Sequence, residues 1–305
     1  MKKSNIDQCL VCSSTRISPL ISIAKARVHC NILWQTREDA LKAPKGEIAL
    51  AYCQNCGHIF NQGFNPERIN YSETYDNSLH FSPTFQNYAE SLANWLIEWF
   101  GLRGKNIIEI GCGQGEFLRL LCEIGENRGI GFDPSHISES EMGPGYENIE
   151  FIQDFYSEKY QGYEADFFCS RHVLEHLNKP REFLDVLAHA ARQRNKAQVH
   201  LEVPNALFTF RNMSILDIIY EHPSYFSQDS LTLLLNKCGF NIIDVNTSFG
   251  DQFLYAVANI INNEIGNAAT RRIKPVEVEE IMISFQDNFK MKSQDWRKAL
   301  NNIYK

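Results

Sequence analysis

The chain of 305 residues holds little glycine (17) and little proline (10). That scarcity excludes collagen-like, low-complexity and repeat-only architectures. No apolar run approaches the roughly eighteen residues that a membrane-spanning helix needs. The N-terminus, Met1-Lys2-Lys3-Ser4-Asn5, has two cations with no apolar stretch behind them, so it does not read as an export signal. Positive charge is also short. Thirty Lys+Arg face 37 Asp+Glu, and the net charge of -7 argues against a nucleic-acid partner. With 44% hydrophobic and 22% charged residues, the composition is that of a folded cytoplasmic enzyme, long enough for one large domain and a small one.

Nine cysteines stand out against these absences. In a reducing compartment, paired cysteines point to metal or catalysis, not disulfides. Four form matched pairs, Cys9-x2-Cys12 and Cys53-x2-Cys56, and each pair can sit on a tight turn that aims two thiolates at one point. Two such turns make a closed tetrahedral site, so structural zinc is expected within residues 1–70. The long separation of the pairs calls for a strand-rich insert, in which His29 and Cys30 are alternative ligands. Cys30, Cys112, Cys122, Cys169 and Cys238 otherwise read as free thiols in apolar company. Residues 71–100 form a linking segment: Tyr71 and Tyr75 lie among small polar residues. Phe85, Tyr88, Leu92, Trp95, Leu96 and Trp99 then recur at helical spacing.

From residue 101 to 262 the pattern alternates strand and helix, which predicts a Rossmann-like, doubly wound α/β sheet of seven strands. The strand Asn106–Ile110 runs into Gly111-Cys112-Gly113-Gln114-Gly115, and Phe117, Leu118 and Leu121 continue as a helix. A second strand ends at Asp133, about twenty residues after the loop, a spacing suited to ribose hydroxyls. A third delivers Asp154 and Phe155 to the same edge. Glu109, two residues before the first glycine, would repel a pyrophosphate and suits a cationic ligand. A Gly-Lys-Ser/Thr phosphate cradle is missing. The fourth strand leads into Arg171-His172-Val173-Leu174-Glu175-His176-Leu177. His172 and His176, with Glu175 between them, resemble metal ligands on one helical face. Past the fifth strand, an insertion around 205–230 carries Tyr220-Glu221-His222 before a helix capped by Ser227 or Asp229.

These ordered motifs resemble class I S-adenosylmethionine-dependent methyltransferases. The resemblance implies that Gly111, Gly113 and Gly115 hold the amino-acid part of the cofactor, with Glu109 and Arg171 nearby. It implies that Asp133 takes the ribose, that Asp154 and Phe155 flank adenine, and that the run from Val173 to Leu177 is a packing element and not a metal site. Together with the four-cysteine segment and the Glu-His pair, it looks more narrowly like the sugar C-methyltransferase family, whose members methylate the carbon beside the ketone of a nucleotide-linked 4-keto-deoxysugar. That resemblance implies His222 as base, Glu221 as its partner, and Tyr71, Tyr75 and Tyr220 as groups that position the sugar. Two departures stand. Tyr220 is adjacent to Glu221, where the family spaces the two by one residue, and the family's further C-terminal α/β domain is missing. Residues 263–305 instead place Ile281, Phe285, Phe289, Trp296, Leu300 and Ile303 along one helical stripe. O-methylation of a sugar or small metabolite is the in-class alternative. An RNA methyltransferase and a cofactor-binding scaffold without chemistry are the remote ones.

Overall fold

The computed structural model describes residues 6–30, 32–69, 78–136, 144–193, 197–260 and 275–303. Tyr71 and Tyr75 lie outside the described residues. The chain opens with β1 (Ile17–Arg27), α1 (Arg37–Lys42), β2 (Lys45–Cys53) and β3 (Ile59–Asn61). The strand-rich insert between the cysteine pairs is β1 paired antiparallel with β2, with bulges at Pro19/Ile21 and Ile23/Ala26. Pro19 has no N–H to give to the ladder, which accounts for the first irregularity. Helix α2 (Pro83–Phe100) starts with proline in its first turn and stops at Gly101 in the left-handed conformation, where the Gly101 N–H returns to the Ile97 carbonyl. Its buried face is Phe85, Ala89, Leu92, Ala93, Leu96 and Ile97.

The large sheet then follows. Its elements are β4 (Asn106–Ile110), α3 (Glu116–Gly125), β5 (Arg128–Phe132), β6 (Ile149–Ile152), β7 (Phe167–Arg171), α4 (Pro180–Gln193), β8 (Gln198–Pro204), α5 (Ala206–Arg211), β9 (Ser224–Tyr225), α6 (Gln228–Lys237), β10 (Asn241–Ser248), β11 (Phe253–Asn259) and α7 (Pro275–Ile303). Seven strands lie in the order β10-β11-β8-β7-β4-β5-β6. Strands β4 to β8 are mutually parallel, while β11 runs antiparallel to both β8 and β10. The strand order reverses beside β4, and ligands of open α/β sheets bind at the carboxyl strand ends of such a switch point. Helix α6 has the expected serine cap: Ser227 and Ser230 form a capping box.

The N-terminal lobe takes in a strand of the insertion. Strand β9, from the insertion, pairs antiparallel with β3 (Ile59↔Tyr225, Phe60↔Ser224) and completes a four-stranded sheet, β1-β2-β3-β9. Helix α7 covers that sheet. Val278, Met282 and Phe285 share one core with Ile48, Leu50, Phe210, Tyr220 and Tyr225, and Tyr52 donates to Glu279 at 2.8 Å. The predicted apolar stripe of α7 is thus buried around Phe285, but Trp296 and Ile303 stay 68% and 76% exposed because the helix runs past the sheet it covers. Among the described residues no helix is long and apolar enough to cross a membrane.

Candidate active site

The four cysteines converge. Gly57, at φ +72°, closes the second turn by donating to the Cys53 carbonyl at 2.8 Å. The Sγ–Sγ distances are 3.6 Å for Cys9–Cys56 and 3.5 Å for Cys12–Cys53. A disulfide would need about 2.05 Å, whereas four sulfurs about 2.3 Å from a tetrahedral zinc stand about 3.8 Å apart. The donor set and its spacing fit a closed zinc site. His29 and Cys30, the alternative ligands, are engaged elsewhere: both face Glu221.

A cleft of about 1310 Å³ opens at the carboxyl ends of β4, β5 and β7. On the wall formed by the sheet, Gly111 and Gly113 have positive φ. A Cβ at Gly111 would strike Val173 at 2.1 Å, while one at Gly113 would meet nothing within 4 Å, so the open side of this loop is free to receive a ligand. Gly115 also has positive φ and packs against Phe151. Asp133 is held in place by the Gly113 N–H (2.9 Å) and by the Ser135 N–H and hydroxyl (2.8 and 2.6 Å). Glu109 is buried with Oε2 unpartnered, and burial raises its carboxyl to about 8 against the opposing pull of Arg171. Such an orphaned acid is suited to a cationic ligand group. Asp154 and Phe155 line the same cleft, where Lys159 and the Tyr160 hydroxyl hold Asp154 down at about 2.

Arg171 is buried beneath this wall. Its guanidinium pairs with Glu202 at 2.9 Å and lies 4.1 Å over the Phe117 ring. Glu202 also accepts from Tyr88 of α2 and lies 3.2 Å from His172 Nε2. Burial works against the His172 cation, but Glu175 and Glu202 together raise it to about 9. Arg171 therefore touches both the cleft and a buried ion network. Sequence reasoning placed Tyr88 on a helical stripe but gave neither it nor Glu202 a part in the site. A charged residue inside the apolar run Val199–Val203 was the available signal, because a parallel strand buried on both faces is normally apolar throughout.

The opposite wall comes from the insertion. His222 lines the cleft and is buried, with Nδ1 3.0 Å from the Asp217 carbonyl. Because a carbonyl only accepts, Nδ1 carries the hydrogen and Nε2 keeps a lone pair. Burial, and next the neighbouring His176, lower His222 to about 3, so its imidazole is neutral. His176 and Glu175 also line the cleft, and the His176 and His222 rings meet edge-on at 4.7 Å. The run read as a packing element therefore reaches the cleft. It is a short 3-10 turn, Leu174–His176, not a helical face, and His172 points to Glu202 while His176 joins His222.

Two residues expected beside the reacting atoms are placed elsewhere. Glu221 is fully buried and turns into the lobe, where Oε2 accepts the Cys30 N–H at 3.0 Å and Oε1 lies 3.7 Å from His29. Tyr220 packs in the lobe core against Phe64 and Gly46, and its hydroxyl accepts the Asn65 N–H at 2.9 Å. Neither lines the cleft. Tyr220 and Glu221 lie in a turn that the His222 N–H closes on the Ile219 carbonyl at 3.3 Å, and from it Glu221 and His222 project to different sides.

The family model described as a methyltransferase domain matches residues 85–245, more than half of the chain. The chain belongs to this family. Its methyltransferase domain is of the S-adenosylmethionine-dependent, Rossmann-like class. The chain is similar to a mitochondrial ubiquinone biosynthesis O-methyltransferase of Dictyostelium discoideum, 30% identical over 28% of this chain and 32% of the relative. It is also similar to a tRNA U34 carboxymethyltransferase of Alteromonas mediterranea, 26% identical over 50% of each chain. The match thus spans 32% to 50% of these curated relatives' length. Among solved structures, magnesium protoporphyrin IX methyltransferase from Synechocystis PCC 6803 with bound SAH aligns at 18% identity with a TM-score of 0.43, covering 58% of this chain and 84% of that one.

Proposed function

We propose that this chain methylates a small oxygenated acceptor, a nucleotide-linked 4-keto-deoxysugar, on the carbon beside its ketone. The observation that carries this reading is the pairing of two walls across one cleft. Gly113, Asp133 and Glu109 form the cofactor wall, and His222, His176 and Glu175 form the acceptor wall. S-adenosylmethionine, when bound, supplies a methyl group already activated on a sulfonium. Glu109 meets its cationic end, Asp133 its ribose, and Asp154 and Phe155 its adenine.

His222 Nε2 takes the acceptor's proton, either from the carbon beside a ketone or from a hydroxyl. Its lowered affinity for a proton keeps it in the accepting form at neutral pH, and Glu175 offsets the weak basicity by favouring the cation. Glu221 acts as a positioning residue, because its link to Cys30 ties the loop that bears His222 to the N-terminal lobe. Tyr71 and Tyr75 are proposed to hydrogen-bond the acceptor oxygen. Cys9, Cys12, Cys53 and Cys56 are proposed to hold one structural zinc in a cytoplasmic protein, and metal analysis of gently purified chain should find it bound at these residues.

The net charge of -7 favours a small acceptor over RNA. Incubation with methyl-labelled cofactor and a panel of nucleotide-linked keto-deoxysugars tests the reading. The expected result is label on carbon, with exchange of the α-proton into deuterated solvent. Label on oxygen without exchange would replace it with O-methylation, and no labelled sugar at all would contradict it.

A further inference from the structure

Glu175, His176 and His222 each present a ligand atom, and the three atoms lie within 4.8 Å of one another. His222 Nδ1 faces the Asp217 carbonyl at 3.0 Å and His176 Nδ1 faces the Glu221 carbonyl at 3.1 Å. Both Nδ1 atoms therefore donate to carbonyls, and the ring nitrogen that would meet a cation is Nε2 in each. Metal-ligating histidines show this arrangement, with the second ring nitrogen donating to a carbonyl that fixes tautomer and ring orientation. Glu175 supplies the third donor. It is 2% exposed, its Oε1 faces His172 at 3.6 Å, and its Oε2 is buried with no hydrogen-bond partner. A buried carboxylate oxygen left unpaired is costly unless something cationic completes it.

We propose that Glu175, His176 and His222 form a second metal site, one that takes a divalent cation of the zinc class. Two imidazole nitrogens and one carboxylate oxygen match zinc, cobalt or iron better than magnesium or calcium, which prefer all-oxygen shells. The site differs from the cysteine cluster in kind. Three protein ligands on a cleft wall leave a coordination position open, whereas four cysteines close theirs. The consequence for activity rests on the proposed role of His222: a cation on Nε2 occupies the lone pair that the base needs, so the bound ion inhibits methyl transfer.

Titration of the full chain, with its cysteine site loaded, with Co2+ tests the site. One further equivalent is expected, with the weak visible bands of nitrogen and oxygen ligation and no added thiolate charge-transfer. Glu175→Gln and His176→Ala should each raise the Co2+ dissociation constant at least about tenfold, since even the loss of a supporting residue costs that much. Unchanged S-adenosylmethionine affinity in both variants establishes that they are folded. Absence of the further equivalent, or equal Co2+ affinity in both variants, overturns the proposal. Zn2+ at the same site should then slow methyl transfer reversibly. If the equivalent binds at these residues and methyl transfer quickens, the site stands and the reading of His222 as a bare base falls.

Discussion

In the seven-stranded sheet each residue proposed to meet the cofactor sits at the end of a strand, within a residue or two of the apolar run that positions it. Glu109 and Gly111 close β4, Asp133 follows β5, Asp154 follows β6 and Arg171 ends β7. The composite lobe is assembled the other way. Its core draws on the N-terminal sheet, on residues 206–225 and on α7, three stretches far apart in the chain. The contrast divides the labour of the site. The residues proposed to recognise the cofactor lie on short contiguous motifs, whereas the wall bearing His222 is held by contacts between distant segments, such as Glu221 with Cys30, 191 residues away.

Breaking the lobe should separate the two halves most sharply. Phe285 is buried and meets Phe210 edge-on at 4.9 Å, so Phe285→Ala should destabilise the lobe by about 3–5 kcal/mol. Thermal unfolding should show an earlier transition, while calorimetry below it finds cofactor affinity unchanged. Equal loss in both halves would mean that they fold as one unit. Asp133→Ala is the converse. It should weaken S-adenosylmethionine binding by about 2–3 kcal/mol, roughly 30- to 150-fold, and leave the lobe's unfolding temperature in place.

The smallest effect concerns pH. Glu109 is raised to about 8 by burial, so without ligand it is protonated at neutral pH, and a cationic ligand must draw the proton off. Cofactor affinity should therefore rise with pH and level off once pH passes about 8, by no more than tenfold per pH unit. Binding heats measured in buffers of different ionisation enthalpy should report proton release in the wild type and none in Glu109→Gln.

The same contrast explains what could be read from the sequence. The order of strands, the glycine loop and the spacing to Asp133 are local, and the strand-rich insert and the capped helix after Ser227 were also legible. The turn of Glu221 into the lobe was not, because it depends on the Cys30 N–H. Neither was the burial of Tyr220, whose ring lies where a side chain at residue 46 would be, 2.1 Å from the position of a Cβ on Gly46. The apolar stripe of α7 was visible, but its partner was not, since a helical stripe does not specify which sheet it covers. Likewise Glu175 and His176 read as packing until the fold brought His222 beside them.

The central claim is that one cleft joins a cofactor wall from the sheet to a proton-accepting wall from the lobe. Measuring S-adenosylmethionine affinity and single-turnover methyl transfer side by side in His222→Ala tests it most directly. The account predicts transfer slowed by about 10²–10⁴-fold with cofactor affinity within about twofold of wild type. Transfer at the wild-type rate, or a loss of cofactor affinity as large as the loss of rate, would contradict it.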